Sequence, residues 1–440
     1  MQNSVVEATY PLEFRADDAK ALGEHLKFRN SVEVLGMKHV GIGNFLSFFL
    51  NHKKIVDKYI NHGEKHLFIP VDLNDLVERE IYPFWILTFK RVVDSVETSE
   101  IRPADKKEIA DLFLDSIQSH DLFLTIENLR QAINLIVKNG VLPTIFLLRL
   151  DRLKEVFNEE FFGNLEGLVD ATGQKLAYVF TSWRSLGEIA SPLFEKKYLT
   201  LFSHKLYLKP APEHDAKIIL GTFLKKYGLQ PDPKILRQIL LLCMGHVQSL
   251  QLSLIILNSK MKEGKIKANN LLAVIAQDER VNLLSEEIWE SLTPSEQEVL
   301  AKIRKGKRVT DAEKRSSQYL WDTACVKAKN GQNAIFNPLF EHYLAGTDAK
   351  HEVDETVDFT KKENLLFGLL FSNRGEICER EKIIKTVWPE YEEVGISDWA
   401  IDRLVWRLRA KLRRKESKFQ IVTVKTRGYK LVEELVPKSL

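Results

Sequence analysis

Apolar positions along the chain change their spacing from region to region. Through about residue 208, short apolar runs alternate with segments whose apolar residues recur every three to four positions. The runs SVEVL (31–35), HLFIPVDL (66–73), LPTIFLLRL (142–150) and KLAYVFTSW (175–183) predict strands. Between them lie predicted helices: one ending near Leu26, then NFLSFFL, EREIYPFWILTFKRVVDSV, TIENLRQAINLIVKNG and EEFFGNLEGLVDATG. Strands alternating with helices predict a mostly parallel sheet covered on both faces. Beyond Leu208 the strands stop, and four helical segments up to about residue 290 predict a lid beside the sheet. LTPSEQEVLAKIRKG (292–306) opens a smaller unit, in which SQYLWDTACVKAKNGQNAIFNPLFEHYL reads as helix, hairpin and closing segment. TDAKHEVDETVD (347–358) is polar, acidic and without period, which predicts a linker.

The last segment can be read in the same way. KENLLFGLLFSN is an amphipathic helix stopped by Asn373–Gly375, and EREKIIKTVW is a second, ended by Pro389. EYEEVGIS is a polar loop. DWAIDRLVWRLRAKLRRK is a long third helix with Ile401, Leu404, Val405, Leu408 and Leu412 on one face. Arg403, Trp406, Arg407, Ala410 and Arg414 fall on the others. FQIVTV and GYKLV are strands around a tight hairpin at Lys425–Gly428. Three helices and a hairpin predict a winged helix-turn-helix, with the third helix in the major groove and the hairpin tip on the neighbouring backbone.

Charge adds to this picture. The chain of 440 residues has a net charge of only +3. Between Arg403 and Lys430, however, eleven basic residues face the single acid Glu416. Such a block is an electrostatic footprint for a polyanion. No long uncharged apolar run is present, so no membrane span is expected. The opening MQNSVVEATYPLEFRADD has no basic or apolar stretch of the secretory kind, and a cytoplasmic, nucleoid-associated protein is expected. Cys243, Cys325 and Cys378 are isolated and odd in number, so neither a disulfide framework nor a zinc site is expected.

The C-terminal segment resembles the OmpR/PhoB-type DNA-binding domain of bacterial response regulators. The resemblance runs from Asn373 to Trp388 (N-x-G-E-I-x-x-R-E), from Ile401 to Leu412 (I-D-x-L-V-x-R-L-R-x-K-L) and from Ile421 to Leu431 (I-x-T-V-K-x-x-G-Y-x-L). It implies that Arg403, Trp406, Arg407 and Ala410 face the groove, with Arg414 on the same helix. It implies that Arg409 and Lys411 contact phosphate or support the helix, and that Thr423, Lys425 and Arg427 are wing contacts. Trp406 is bulky for a groove position. Nothing upstream resembles the phosphorylated receiver of that family.

Residues 10–345 resemble the AAA-like ATPases of STAND and origin-recognition type. SVEVLGMKHVGIGNFL stands where that family has strand, Walker A loop and helix, and LPTIFLLRLDRL where it has Walker B. The departures fall on the chemistry. Gly36 and Gly41 keep the glycine positions, but Ile42 replaces the phosphate-binding Lys and Gly43 the metal-binding Ser or Thr. Aligning on Asp151 places Leu148 and Arg149 at the metal Asp and catalytic Glu. Phosphoryl transfer depends on positioning and on Lys and Mg²⁺ charge, so no ATP hydrolysis and no cofactor are expected. The alternative is that GMKHVGIG is a plain strand-to-helix turn that never held nucleotide.

The expected architecture is an α/β P-loop-like (AAA-type) sheet domain over 1–208, a helical lid over 209–290, and a small winged-helix-like domain over 291–346. A linker (347–358) and a C-terminal winged helix-turn-helix (359–436) follow. The expected function is sequence-specific binding of double-stranded DNA, as a transcriptional regulator whose inactive N-terminal module associates with a second copy or another protein. The small domain, with Lys302, Arg304, Lys305, Lys307 and Arg308, is a further candidate for DNA contact. The alternatives are a replication or mobile-element factor of origin-recognition type, and a STAND-type nucleotide switch.

Overall fold

The computed structural model describes residues 5–60, 63–190, 201, 204–261, 270–329, 332–351, 359–389, 398–414, 417–424 and 427–433. The chain forms two compact units, Met1–Tyr343 and Leu344–Leu440.

The first unit begins with α1 (Ala16–Lys27), β1 (Val32–Leu35), α2 (Ile42–Asn51) and β2 (Lys65–Asp72). Three helices follow, α3 (Ile81–Glu97), α4 (Pro103–Ser119) and α5 (Leu122–Lys138), then β3 (Val141–Leu148), α6 (Glu159–Ala171), β4 (Ala177–Ser182), the short α7 (Leu186–Ile189) and β5 (His204–Tyr207). The five strands make one parallel sheet in the order β2-β3-β4-β1-β5. Parallel neighbours require crossovers, and here helices supply them on both faces. Successive strand residues point to opposite sides. Ile145 and Leu147 therefore join a core with Trp85, Phe89, Ile133, Phe161 and Phe162. Phe146 faces the other way, its ring centroid 6.4 Å from that of Phe49 on α2. The strands and helices make a parallel α/β sheet covered on both faces.

Two elements here escape the sequence pattern. In α4, Ile109 and Phe113 are buried, but Leu114 and Ile117 are exposed, which blurs the helical period. The strand β5 has only four residues, none fully buried, and exists because β1 pairs with it from Val32↔His204 to Leu35↔Tyr207.

Helices α8 (Glu213–Tyr227), α9 (Pro233–Cys243), α10 (Val247–Met261), α11 (Leu271–Ala276) and α12 (Glu279–Glu290) occupy the stretch expected as a lid. The smaller portion carries α13 (Pro294–Arg304), α14 (Asp311–Ser316), α15 (Tyr319–Asp322) and the hairpin β6 (Val326–Lys329) with β7 (Gln332–Ile335). Arg184, just past β4, joins it to the sheet: its guanidinium is buried against Glu296, donates to Ser291 O at 3.2 Å and stacks 3.8 Å from the Tyr319 ring centroid. Then α16 (Pro338–His351) runs helically into the first residues of the stretch expected as linker. Residues 352–358 lie outside the described ones.

The second unit holds α17 (Lys361–Ser372), β8 (Ile377–Glu379), α18 (Arg380–Val387), α19 (Asp398–Arg414), β9 (Phe419–Val424) and β10 (Gly428–Glu433). Its sheet is antiparallel, in the order β8-β10-β9. The sequence predicts β9 and β10 but not β8, which has three residues and is held by Gly428, Tyr429 and Lys430 opposite. The loop 390–397 is outside the described residues.

Candidate nucleic-acid interface

The apolar face of α19 organises the second unit. Ile401, Leu404, Val405, Leu408 and Leu412 are all buried, against Leu366, Leu370, Ile383, Val387 and Tyr429. A helix that buries one stripe must present the opposite one elsewhere. Arg403, Trp406 and Arg407 lie off the stripe, and Trp406 is 51% exposed. An aromatic ring of this size in contact with water is an unusual feature of a helix otherwise lined by charge. Across its face lies Arg403, with the guanidinium carbon 3.9 Å from the ring centroid, a close cation–π stack.

Other charged residues of α19 are engaged within the unit. Arg409 Nε donates to Ile421 O at 2.7 Å and Nη2 donates to Thr423 Oγ1 at 2.8 Å, so this arginine joins α19 to β9. Lys411 Nζ donates to the buried Glu363 carboxylate at 2.9 Å. Glu363 also accepts from Thr360 N at 2.7 Å while Thr360 Oγ1 caps the helix in return, a capping box at the start of α17. Burial raises the Glu363 pKa, but these donors outweigh it and hold the carboxyl below its ordinary value. Of the two roles expected for Arg409 and Lys411, these bonds are those of support. Thr423, expected as a wing contact, is exposed and already accepts from Arg409.

The sequence reading missed a second tie. Asp402 pairs with Arg380 Nη2 at 2.6 Å and accepts from Tyr429 Oη, which connects α19, α18 and β10. Burial, reinforced by this acceptor, pushes the Tyr429 hydroxyl well above its ordinary range. At the hairpin, Gly428 has φ +152°, and a Cβ there would stand 2.1 Å from Cys378 O, so the close strand crossing requires glycine. Arg427 is exposed at the tip. Lys425 lies outside the described residues, as do the side chains of Ala410 and Arg414.

The loop after β1 lies at the carboxyl edge of the parallel sheet, the usual ligand edge of such folds. It is packed against other parts of the unit. A Cβ at Gly36 would come within 2.8 Å of Leu208 O, and one at Gly41 (φ +116°) within 2.4 Å of Val247 Cγ2. Ile42 and Gly43 open α2. Leu148 ends β3, and Arg149 follows in a left-handed conformation (φ 61°), its N–H donating to Thr181 Oγ1 at 2.7 Å. The Arg149 guanidinium pairs with Asp72 and lies 4.0 Å from where a Cβ on Gly43 would be. Burial pushes the Asp151 carboxyl up.

The lid touches this loop directly. His246 Nε2 and Lys38 O are 2.9 Å apart, Gln248 N donates to His39 O at 3.4 Å, and Glu287 on α12 meets His39 Nε2 at 2.8 Å and Lys38 Nζ at 3.7 Å. Burial pushes the His246 imidazole down to about 4, so it is neutral near pH 7. Among the described residues, no group of three or more His, Cys, Asp or Glu side chains could hold a metal ion, and no helix is long and apolar enough to cross a membrane. All three cysteines are free and buried.

Three helices, a hairpin wing and a cationic outer helix face define a winged-helix DNA-binding domain. Residues 354–431 match the family described as "Transcriptional regulatory protein, C terminal", and this segment is therefore the OmpR/PhoB-type domain. No curated protein matches the chain. Among solved structures, the Walker-type ATPase of Pyrococcus abyssi is similar at 15% identity and TM-score 0.45, over 75% of this chain and 95% of that one. The ORC2 protein of Aeropyrum pernix, in its ADPNP-ADP complexes, is similar at 12% identity and TM-score 0.47, over 80% and 98%. The ORC1 protein of Aeropyrum pernix in complex with DNA is similar at 14% identity and TM-score 0.39, over 80% and 97%.

Proposed function

We propose that this chain is a sequence-specific regulator of transcription that binds double-stranded DNA through its C-terminal unit. The observation that carries this reading is the outer face of α19. Arg403, Trp406 and Arg407 lie off the buried stripe, and Arg427 is exposed at the wing tip of the same domain. A helix of this kind reads base edges in the major groove, and wing cations hold the phosphate backbone.

The N-terminal module, in this reading, is catalytically inactive and serves association with a second copy or another protein. The residues of the loop do not fit a magnesium nucleotide. Ile42 brings no ammonium, Gly43 no hydroxyl and Leu148 no carboxylate, while Arg149 places a cation beside Gly43. That guanidinium occupies the nearby Asp72 carboxylate in an ion pair, so Asp72 is not left open to a divalent metal.

Genome-wide footprints of the full chain test the function. Footprints at promoters support a regulator, whereas footprints confined to one replication origin or element end favour a replication factor instead. Binding to duplex DNA at low salt should be lost in the Arg407→Ala, Arg427→Ala double variant, and unchanged binding would remove the site assignment. ATP turnover that disappears with Asp151→Asn would overturn the inactive-module reading.

A further inference from the structure

Resting on the reading of the N-terminal module as inactive, we infer that the loop between β1 and α2 is latched from within the chain. His246, Val247, Gln248 and Glu287 hold it as a bound ligand would, and no nucleotide is needed. The three residues at the start of α10 each meet a different residue of the loop. His246 Nε2 lies 2.9 Å from Lys38 O. Val247 packs on Gly41, where a Cβ would come within 2.4 Å of Val247 Cγ2. Gln248 N donates to His39 O at 3.4 Å. Glu287 on α12 adds a carboxylate, with Oε2 2.8 Å from His39 Nε2 and Oε1 3.7 Å from Lys38 Nζ.

The chemistry follows from who donates and who accepts. A phosphate-binding loop turns backbone N–H groups and a lysine toward its ligand. In this loop the carbonyls of Lys38 and His39 are instead engaged by donors of the same chain. A carbonyl only accepts, so the His246 proton sits on Nε2, and Nδ1 accepts from Ser249 N at 3.3 Å. The ring is thereby held in one tautomer. His39 has φ 59°, a left-handed conformation that residues other than glycine rarely adopt. It persists because its carbonyl is held by Gln248 and its imidazole by Glu287. The Glu287 carboxylate brings to Lys38 and His39 the sign of charge that a phosphate would bring. Burial raises its pKa, but the bonds and charges of His39 and Lys38 outweigh this and hold it below its ordinary value. A latch built from side chains is always present, so the loop keeps one arrangement against α10 and α12.

Amide hydrogen exchange on the full chain tests this, with and without magnesium-ATP. In the wild type, peptides covering residues 36–43 and 246–250 should exchange slowly, and magnesium-ATP should not slow them further. Glu287→Gln and His39→Ala should each speed exchange of residues 36–43 by roughly 3- to 10-fold, the effect of losing one hydrogen bond. Exchange of β3 should stay at the wild-type rate in both variants, which shows that the sheet is intact. His246→Gln keeps a donor for Lys38 O and should speed the loop less than His246→Ala. Loop exchange that is unchanged in both Glu287→Gln and His39→Ala overturns the latch. So does a wild-type loop that magnesium-ATP protects further, since the loop would then be open to nucleotide. Such protection without ATP turnover overturns the latch and leaves the inactive-module reading standing, whereas turnover overturns both.

Discussion

Arg409 on the third helix of the C-terminal unit is bound to Thr423 on the wing, Nη2 to Oγ1 at 2.8 Å, with Nε donating to Ile421 O beside it. The helix and wing are thereby held as one surface. Arg409→Ala should destabilise the C-terminal unit by roughly 1.5–3 kcal/mol, the range for hydrogen bonds from a charged group. Its DNA affinity should fall with the loosened wing. Thr423→Val removes one of the two bonds and should cost less. Denaturant unfolding of the C-terminal unit checks both. An Arg409→Ala protein as stable as the wild type but weaker in DNA binding would make Arg409 a direct contact.

Glu363 is the acid on which the start of α17 and the end of α19 converge. It closes the capping box with Thr360 and accepts from Lys411 at 2.9 Å. Glu363→Gln should cost roughly 1–3 kcal/mol, since it weakens a cap and removes the negative charge of the Lys411 bond. Lys411→Met should cost less than Lys411→Ala because the aliphatic stem still packs. A thermal melt of the C-terminal unit reads this, and a loss of DNA affinity with no loss of stability would count against it.

Arg407 and Arg427 give a salt prediction. Each phosphate neutralised by the wild type contributes about 0.9 to the slope of log affinity against log salt. Substituting alanine for a phosphate-contacting arginine should therefore shallow the slope by about one. A base-contacting arginine should instead relax sequence preference. Measuring both quantities for Arg407→Ala and Arg427→Ala assigns each residue, and no change in either would remove it from the interface.

Glu33 in β1 is 1% exposed, and its Oε2 accepts from Leu186 N at 2.7 Å while Oε1 has no hydrogen-bond partner among the described residues. Burial pushes this carboxyl up to about 7, with the Leu186 N–H and Lys205 acting in the opposite direction. A carboxyl raised in the fold binds its proton more tightly there than in the unfolded chain. Its contribution is full below the ordinary value of 4.5 and is lost as pH rises through about 7. The loss amounts to about 3 kcal/mol. Glu33→Gln should be more stable than the wild type at pH 8, and the difference should shrink toward pH 4.5. Parallel stability curves for the two proteins would refute this.

Gly41 has φ +116°, and a Cβ on it would meet Val247 Cγ2 at 2.4 Å. Gly41→Ala should cost roughly 1–3 kcal/mol through backbone strain, with the clash in addition. Adding Val247→Ala should relieve the clash and not the strain, so the double variant should recover part of the loss. Additive effects would mean that loop and lid do not touch in solution.

The sequence by itself determined most of the elements and both unit types. Alternating strand and helix patterns specify a covered parallel sheet, and the 3.6-residue period of α19 identifies Ile401, Leu404, Val405, Leu408 and Leu412 as its buried face. These are local properties, visible wherever an apolar stripe must be buried. Only the tertiary structure decided that β5 is a strand, because its four residues gain their hydrogen bonds from β1 and not from their own pattern. It also separated the cations of α19, which look alike in the sequence. Arg409 and Lys411 meet Thr423 and Glu363 from distant segments, whereas Trp406 remains exposed with Arg403 stacked on it. The partners of Arg409 and Lys411 lie 14 and 48 positions away, and no local spacing carries that information.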